Sequence, residues 1–424
     1  MKTKASITVL LFLLLSHFCF ADKLLIPMDL SQVNHLKAYG IVYWALTKSV
    51  EWDWLLNYRG GSFAAEYSDD IAKECRIRGV EFQTISDGTA QDIYAEVQSE
   101  GVNMDVVRLE KAPKIAVYVQ PGNAPWDDAV RMALDYAEVK YDMIWDEEVL
   151  TGKLADYDWL HLHHEDFTGQ FGKFYPTHGD QTWYIQQVAL NEQMALKMGY
   201  PSVPALKKAT VSTIRKYVAD GGFLFAMCTA TDTYDIALAA QNVDIVAQLF
   251  DGTPPEADYN NKLNFANTFA FQDFKVDPEP YDSYHHAFSD IDVGVYTGLN
   301  NIAVDYFTLF EFSAKYDPVP TMLTQNHVSV IKGFLGQTTS FHKDKLKPSV
   351  TVLAIKDGTD EVKYIQGNVG RGSFCWYGGH DPEDYQHILG DPPTDLNMYR
   401  SSPGYRLILN NILFPAAKKK TQKT

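Results

Sequence analysis

Tyr217-Val218-Ala219-Asp220-Gly221-Gly222-Phe223-Leu224-Phe225-Ala226-Met227-Cys228-Thr229-Ala230-Thr231-Asp232-Thr233 is the stretch from which the fold is read. Phe223 to Met227 is a short apolar run bounded by turn residues, the pattern of a strand buried on both faces of a parallel sheet. Gly221 and Gly222 can take the positive φ that ends a helix, so Thr210 to Ala219 reads as a helix feeding that strand. Thr231, Asp232 and Thr233 read as caps of a following helix. Cys228 then sits where a parallel strand hands over to a helix. In open α/β sheets that carboxyl edge is where ligands bind.

The alternation continues on both sides. Upstream, Lys114 to Val119, Tyr141 to Trp145 and Tyr157 to Leu162 predict strands, with a helix from Asp127 to Ala137 between the first two. A long insertion from Glu165 to about Lys208 carries a helix through Gln186 to Lys197. Downstream, Val350 to Ile355, Val362 to Ile365 and Gly372 to Tyr377 predict further strands. Arg406 to Leu413 predicts a last helix, with Pro403 just inside its start. Strands alternating with helices predict an α/β fold, a parallel sheet with helices on both faces. Residues 22–112 read as a small α/β region of their own, with strands at Lys23 to Pro27 and Trp54 to Tyr58 and helices at Val33 to Leu46, Asp69 to Arg78 and Ala90 to Ser99. Residues 250–348, punctuated by proline, read as an inserted subdomain over the sheet's carboxyl edge. The main domain is then 113–249 with 349–417, and 418–424 is a basic tail.

Composition narrows the function. The chain has 424 residues, 46% hydrophobic and 13% aromatic, enough for sizeable cores. Its net charge of −17 argues against a nucleic-acid partner, which needs a basic footprint. Lys2 and Lys4, an apolar run from Ile7 to Leu15 and small residues near Ala21 read as a secretory signal, residues 1–21, cleaved before Asp22. That predicts a secreted or periplasmic protein. Bulky Phe18 before Cys19 argues against a lipid anchor, and no later run is long enough to span a bilayer. Cys75, Cys228 and Cys375 remain, an odd and small number that argues against a disulfide framework.

Three segments together resemble the class I glutamine amidotransferase-like superfamily, and within it the trehalose-utilisation (ThuA-like) branch. They are Tyr157 to Leu162, Ile214 to Phe223 with Ala230 to Thr233, and Gly370 to Glu383 with Pro403 to Phe414. The resemblance implies a flavodoxin-like sheet and covers about half the chain. The whole chain also resembles secreted Bacteroidetes-type proteins that carry the label asparagine synthetase B. The residues give that label no chemistry: the mature start is Asp22 rather than a nucleophilic cysteine, and no Ser-Gly-Gly-x-Asp-Ser loop is present.

The resemblance puts Cys228 in the place of the amidotransferase nucleophile. A thiol there can be activated by a helix N-terminus and a neighbouring histidine. It implies His380 as base and Glu383 as its orienting carboxylate, here with one extra residue, Asp381, in the His-Pro-Glu motif. The Thr229 amide is the natural oxyanion donor, while Asp232 disfavours a thiolate. The competing reading makes Cys228 an inert small hydrophobe. His161-Leu162-His163-His164-Glu165-Asp166 is the densest polar cluster. Strand alternation puts His161 and His163 on one face; His164 and Asp166 face the other way if the strand continues through them. Two histidines and a carboxylate can hold zinc, but the spacing completes no metal motif and no metal ligand is assigned. His161, His163, Glu165, Thr229, Asp232 and Asp381 are therefore taken as binding residues around Cys228, His380 and Glu383. Gly-rich phosphate loops are absent, so no nucleotide cofactor is implied. The expected substrate is a small amide or a saccharide; a non-catalytic saccharide or envelope-partner module and a metal-dependent hydrolase remain as alternatives.

Overall fold

The computed structural model describes residues 22–122, 128–170, 174–277, 289–293, 305–317, 321–385 and 390–418. Residues 1–21, expected as a signal and including Cys19, lie outside them, as do Trp126 and His285-His286.

The amino-terminal region builds a five-stranded antiparallel sheet. Its strands are β1 (Lys23–Ile26), β2 (Trp52–Leu56), β3 (Ser62–Glu66), β4 (Gln83–Ile85) and β5 (Asp105–Leu109), in the order β4-β1-β3-β2-β5. Three helices accompany it: α1 (His35–Leu46), α2 (Asp69–Arg78) and α3 (Asp87–Gln98). Side chains alternate as pleating requires. Leu25, Leu55 and Ala64 face α3 residues Ile93 and Val97, while Ile26, Trp54, Leu56 and Phe63 face the main core.

The second sheet has ten strands. Five form its parallel heart: β6 (Ile115–Tyr118), β7 (Asp142–Ile144), β8 (Trp159–Leu162), β9 (Phe223–Met227) and a later strand, Gly372–Tyr377. Between them run α4 (Ala129–Ala137), α5 (Asp146–Leu150), α6 (Tyr175–His178), α7 (Thr182–Lys197), α8 (Val203–Ala219), α9 (Ala230–Ala239) and α10 (Gln248–Asp251). Strands β10 (Tyr306–Leu309), β11 (Val330–Lys332), β12 (Phe341–His342), β13 (Thr351–Lys356) and β14 (Glu361–Val369) extend one edge in antiparallel fashion up to β15, the Gly372–Tyr377 strand. The parallel strands stand in the order β7-β6-β8-β9-β15. The fold is therefore α/β with a mixed sheet. The strands predicted at Val350 and Val362 join it antiparallel, and the segment expected as an insertion contributes β10, β11 and β12. The last helix is α11 (Pro403–Leu413).

These parts stack in layers. Helices α1, α4 and α11 lie between the two sheets, where Leu36, Tyr39, Leu134, Ile408, Phe223 and Phe225 share one core. On the other face of the large sheet, Leu160, Leu224 and Trp376 pack against Val211, Ile214 and Tyr234 of α8 and α9. Asp220 caps α8 and Gly221 has φ +122°, as the Gly-Gly stop requires. Gly222 serves packing instead, since a Cβ there would enter the Tyr217 ring.

Candidate active site

Strand β9 ends at Cys228, which has φ +51°. A side chain with a Cβ in the left-handed region costs about 1–3 kcal/mol and persists only where its surroundings impose it. Here the Cys228 amide donates to Gly379 O at 3.1 Å, and its carbonyl accepts from Thr231 N at 3.2 Å and Thr231 Oγ1 at 2.7 Å. The tight turn starts α9 at Ala230, whose amide donates to His163 O at 3.0 Å. This corrects the expected caps. Thr231 and Thr233 lie inside the first turn and donate back to the Cys228 and Thr229 carbonyls. Asp232 accepts from Thr338 Oγ1 at 2.8 Å. Thr229 is the cap residue in helical geometry, with a buried hydroxyl that makes no hydrogen bond.

Three imidazoles meet beside this turn. The His163 and His164 rings stack at 4.0 Å, and His380 lies 4.8 Å from the first and 4.9 Å from the second. The opposite face expected for His164 depended on the strand continuing; β8 ends at Leu162, so alternation does not apply to it. Beneath His163 lies Asp128, the N-cap of α4, whose Oδ1 accepts from Val130 N and Arg131 N. The same oxygen is 3.2 Å from His163 Nδ1 and 3.4 Å from His161 Nε2, within reach of both though poorly aligned as hydrogen bonds. Burial raises the Asp128 carboxyl, but the two imidazoles outweigh it and hold the group well below the usual carboxylate range.

A loop from the segment before β12 covers the site. Gln337 N donates to Cys228 Sγ at 3.3 Å, Gly379 N donates to Thr338 O at 2.7 Å and His380 N to Leu335 O at 2.9 Å. Gly336 is required here, because a Cβ would lie 2.8 Å from the Gly379–His380 backbone. Cys228 is wholly buried beneath this cover. Lys363 of β14 reaches the same place, donating to Phe334 O at 2.6 Å and Thr339 O at 2.7 Å. Burial pushes its ammonium down to about 7, and Cys228 is among the groups that pull it back up. Sequence reading missed Gln337 and Lys363. Lys363 was visible as a lone charge between Val362 and Tyr364; Gln337 acts through its backbone and left no signal.

Other expected members face elsewhere. His161 is buried one layer deeper, its Nδ1 against Phe225 O at 3.2 Å. Glu165 turns to the α8 side, 3.4 Å from Lys207 Nζ, which also donates to Asp146 at 2.9 Å. Asp381 binds Glu383 N and Thr394 Oγ1, so it shapes its own turn. Glu383 accepts from Tyr385 OH at 2.7 Å, and burial raises its carboxyl. Of the expected set, Cys228, His163 and His380 lie together and are joined by His164, while His161, Glu165, Asp381 and Glu383 face elsewhere. A separate cleft of about 950 Å³ opens at the opposite, amino edge of the sheet between Tyr217, Phe223, Arg371 and Phe414. Its size does not make it the site, because the strained cysteine and the histidines lie at the other edge. No disulfide joins Cys75, Cys228 and Cys375, and all three are buried. No helix among the described residues is long and apolar enough to cross a membrane.

No family model matches this chain, and no curated protein matches it. Among solved structures it is similar to a cytoplasmic protein of Salmonella typhimurium LT2, at 14% identity over 72% of this chain and 100% of that one, with a TM-score of 0.36. A second cytoplasmic protein of Salmonella typhimurium gives 10% identity, 72% and 100% coverage and 0.32. A β-galactosidase of Bacillus circulans gives 10% identity over 70% of this chain and 32% of that one, with 0.27. Likenesses of this strength assign neither a fold family nor an activity.

Proposed function

We propose that this protein is a thiol-dependent hydrolase or acyl transferase of the class I glutamine amidotransferase-like type, acting on a small amide. The observation that carries the reading is Cys228 at φ +51° on a strand-to-helix turn, with an amide N–H 3.3 Å from its sulfur. Strain of this kind aims a nucleophile out of the sheet edge. The order β7-β6-β8-β9-β15, with the five parallel strands alone numbered in chain order, is 2-1-3-4-5, and this supports the flavodoxin-like assignment. The leader-like first 21 residues support an extracytoplasmic location.

In this reading the Cys228 thiolate adds to the amide carbonyl carbon. His380 takes the thiol proton and returns it to the departing nitrogen, leaving a thioester and a free amine. Water then releases the acid and restores the thiol. The Thr229 amide is the candidate donor to the oxyanion. Lys363, when protonated, favours the thiolate. Substrate reaches the sulfur when the Gly336–Thr339 turn moves aside.

Timed reaction of the folded protein with iodoacetamide, followed by peptide mass spectrometry, tests this. Cys228 is expected to react at least tenfold faster than Cys75, whose thiol burial pushes up to about 12, and than Cys375, which burial also raises. Equal inertness of all three thiols sinks the proposal.

A further inference from the structure

We infer that His163, His164 and His380 form a site for one divalent transition-metal ion, of the zinc class, at the carboxyl edge of the large sheet. The inference goes beyond the thiol reading and shares only His380 with it. One ligand nitrogen from each ring lies within 4.8 Å of the other two. Zinc–nitrogen bonds of ~2.1 Å place two ligands of a tetrahedral ion about 3.4 Å apart, so modest ring rotations close the set.

The support behind His163 argues for a built site. Its Nδ1 is 3.2 Å from Asp128 Oδ1, and its Nε2 is buried with no hydrogen bond. A carboxylate behind one ring nitrogen, with the other nitrogen left for the ion, is the usual outer support of a metal-binding histidine. Asp128 is itself fixed as the N-cap of α4 and almost fully buried. An uncompensated buried imidazole nitrogen is costly, and a cation turns that cost into a bond.

The donor set selects the ion. Three neutral imidazoles without a carboxylate suit zinc, copper or nickel and discriminate against calcium and magnesium. Three protein ligands leave a fourth position for water, the arrangement of catalytic rather than structural zinc. The place agrees: His163 follows β8, and the parallel order reverses between β8 and its neighbour β6.

The test uses the tag-free protein, stripped with a chelator and dialysed. Titration with zinc chloride by calorimetry is expected to show about one saturable equivalent, and cobalt(II) is expected to give tetrahedral d–d absorption bands. His164→Ala, at a half-buried position, should lose at least tenfold in affinity while keeping its circular dichroism. Asp128→Asn should weaken binding roughly 10–100-fold, as outer-shell changes do. A folded wild-type chain without saturable zinc binding, or binding unchanged in both variants, overturns the inference. Iodoacetamide labelling of the same stripped samples separates the two readings. Fast Cys228 labelling without metal binding removes this inference alone, and metal binding with inert Cys228 removes the thiol reading alone.

Discussion

At the scale of the residue, seven non-glycine side chains among the described residues sit at positive φ, and one of them, Cys228, lies at the candidate site. Cys228 carries φ +51° in a fully buried turn, clamped by Gly379, Thr231 and Gln337. A position selected for stability alone would carry glycine, which adopts this conformation without a steric penalty. The strain therefore makes a prediction that core packing alone does not. In a helix or strand interior, replacing alanine by glycine destabilises by roughly 0.5–1 kcal/mol. Here the order should invert, with Cys228→Gly about 1 kcal/mol more stable than Cys228→Ala. Urea unfolding of the two variants measures it, and an alanine variant at least as stable as the glycine one shows that the turn is unstrained. Both variants should lose the fast alkylation.

At the scale of the element, what was legible in the chain follows how local the signal is. Helix α2 and the strand β9 were read within a residue or so, because their apolar spacing and Gly stops are local. The antiparallel order β4-β1-β3-β2-β5 was not legible, since pairing between distant strands leaves no trace in periodicity. The place of His164 was not legible, because the period of two stops with β8 at Leu162. Asp381 and Glu383 were placed in the site by motif, yet their own turn binds them. The role of Asp235 was equally hidden. On α9 it accepts from Phe269 N and Ala270 N at 2.7 Å and from Phe271 N at 2.9 Å, tying the next segment to the helix behind the site. Burial raises its carboxyl to about 6 against the opposing pull of those three amides. Asp235→Ala leaves three buried donors unpaired and should cost about 3 kcal/mol or more, while Asp235→Asn, which keeps one acceptor oxygen, should cost less. Denaturation midpoints of the two variants check the order; an alanine variant within about 1 kcal/mol of wild type refutes the anchoring role.

At the scale of the whole molecule, the two sheets are joined by a polar seam inside an apolar layer. Arg406 of α11 is fully buried and donates to Met28 O at 3.0 Å, to Gly60 O and to Tyr39 OH at 3.1 Å, all in the amino-terminal region. Its Nη1 also meets His327 Nδ1 at 3.1 Å, and the His327 ring stacks on His35 at 4.3 Å. Burial and then the Arg406 charge hold His35 at about 3 and His327 at about 4. Both folded values lie below the unfolded value of 6.5. As pH falls, the unfolded chain takes up these protons first. The stability the pair contributes is complete above about pH 6.5 and is lost progressively towards pH 4 and 3. One pK unit is about 1.4 kcal/mol, so His35 alone removes about 2 kcal/mol between pH 6.5 and 5. Urea midpoints across that range should fall more steeply for wild type than for His35→Gln or for His327→Gln, the second variant guarding against a folding failure in the first. Parallel slopes in all three proteins would show that the seam does not sense protons. A steeper wild-type slope would identify the join between the two sheets as a proton-sensitive part of the fold.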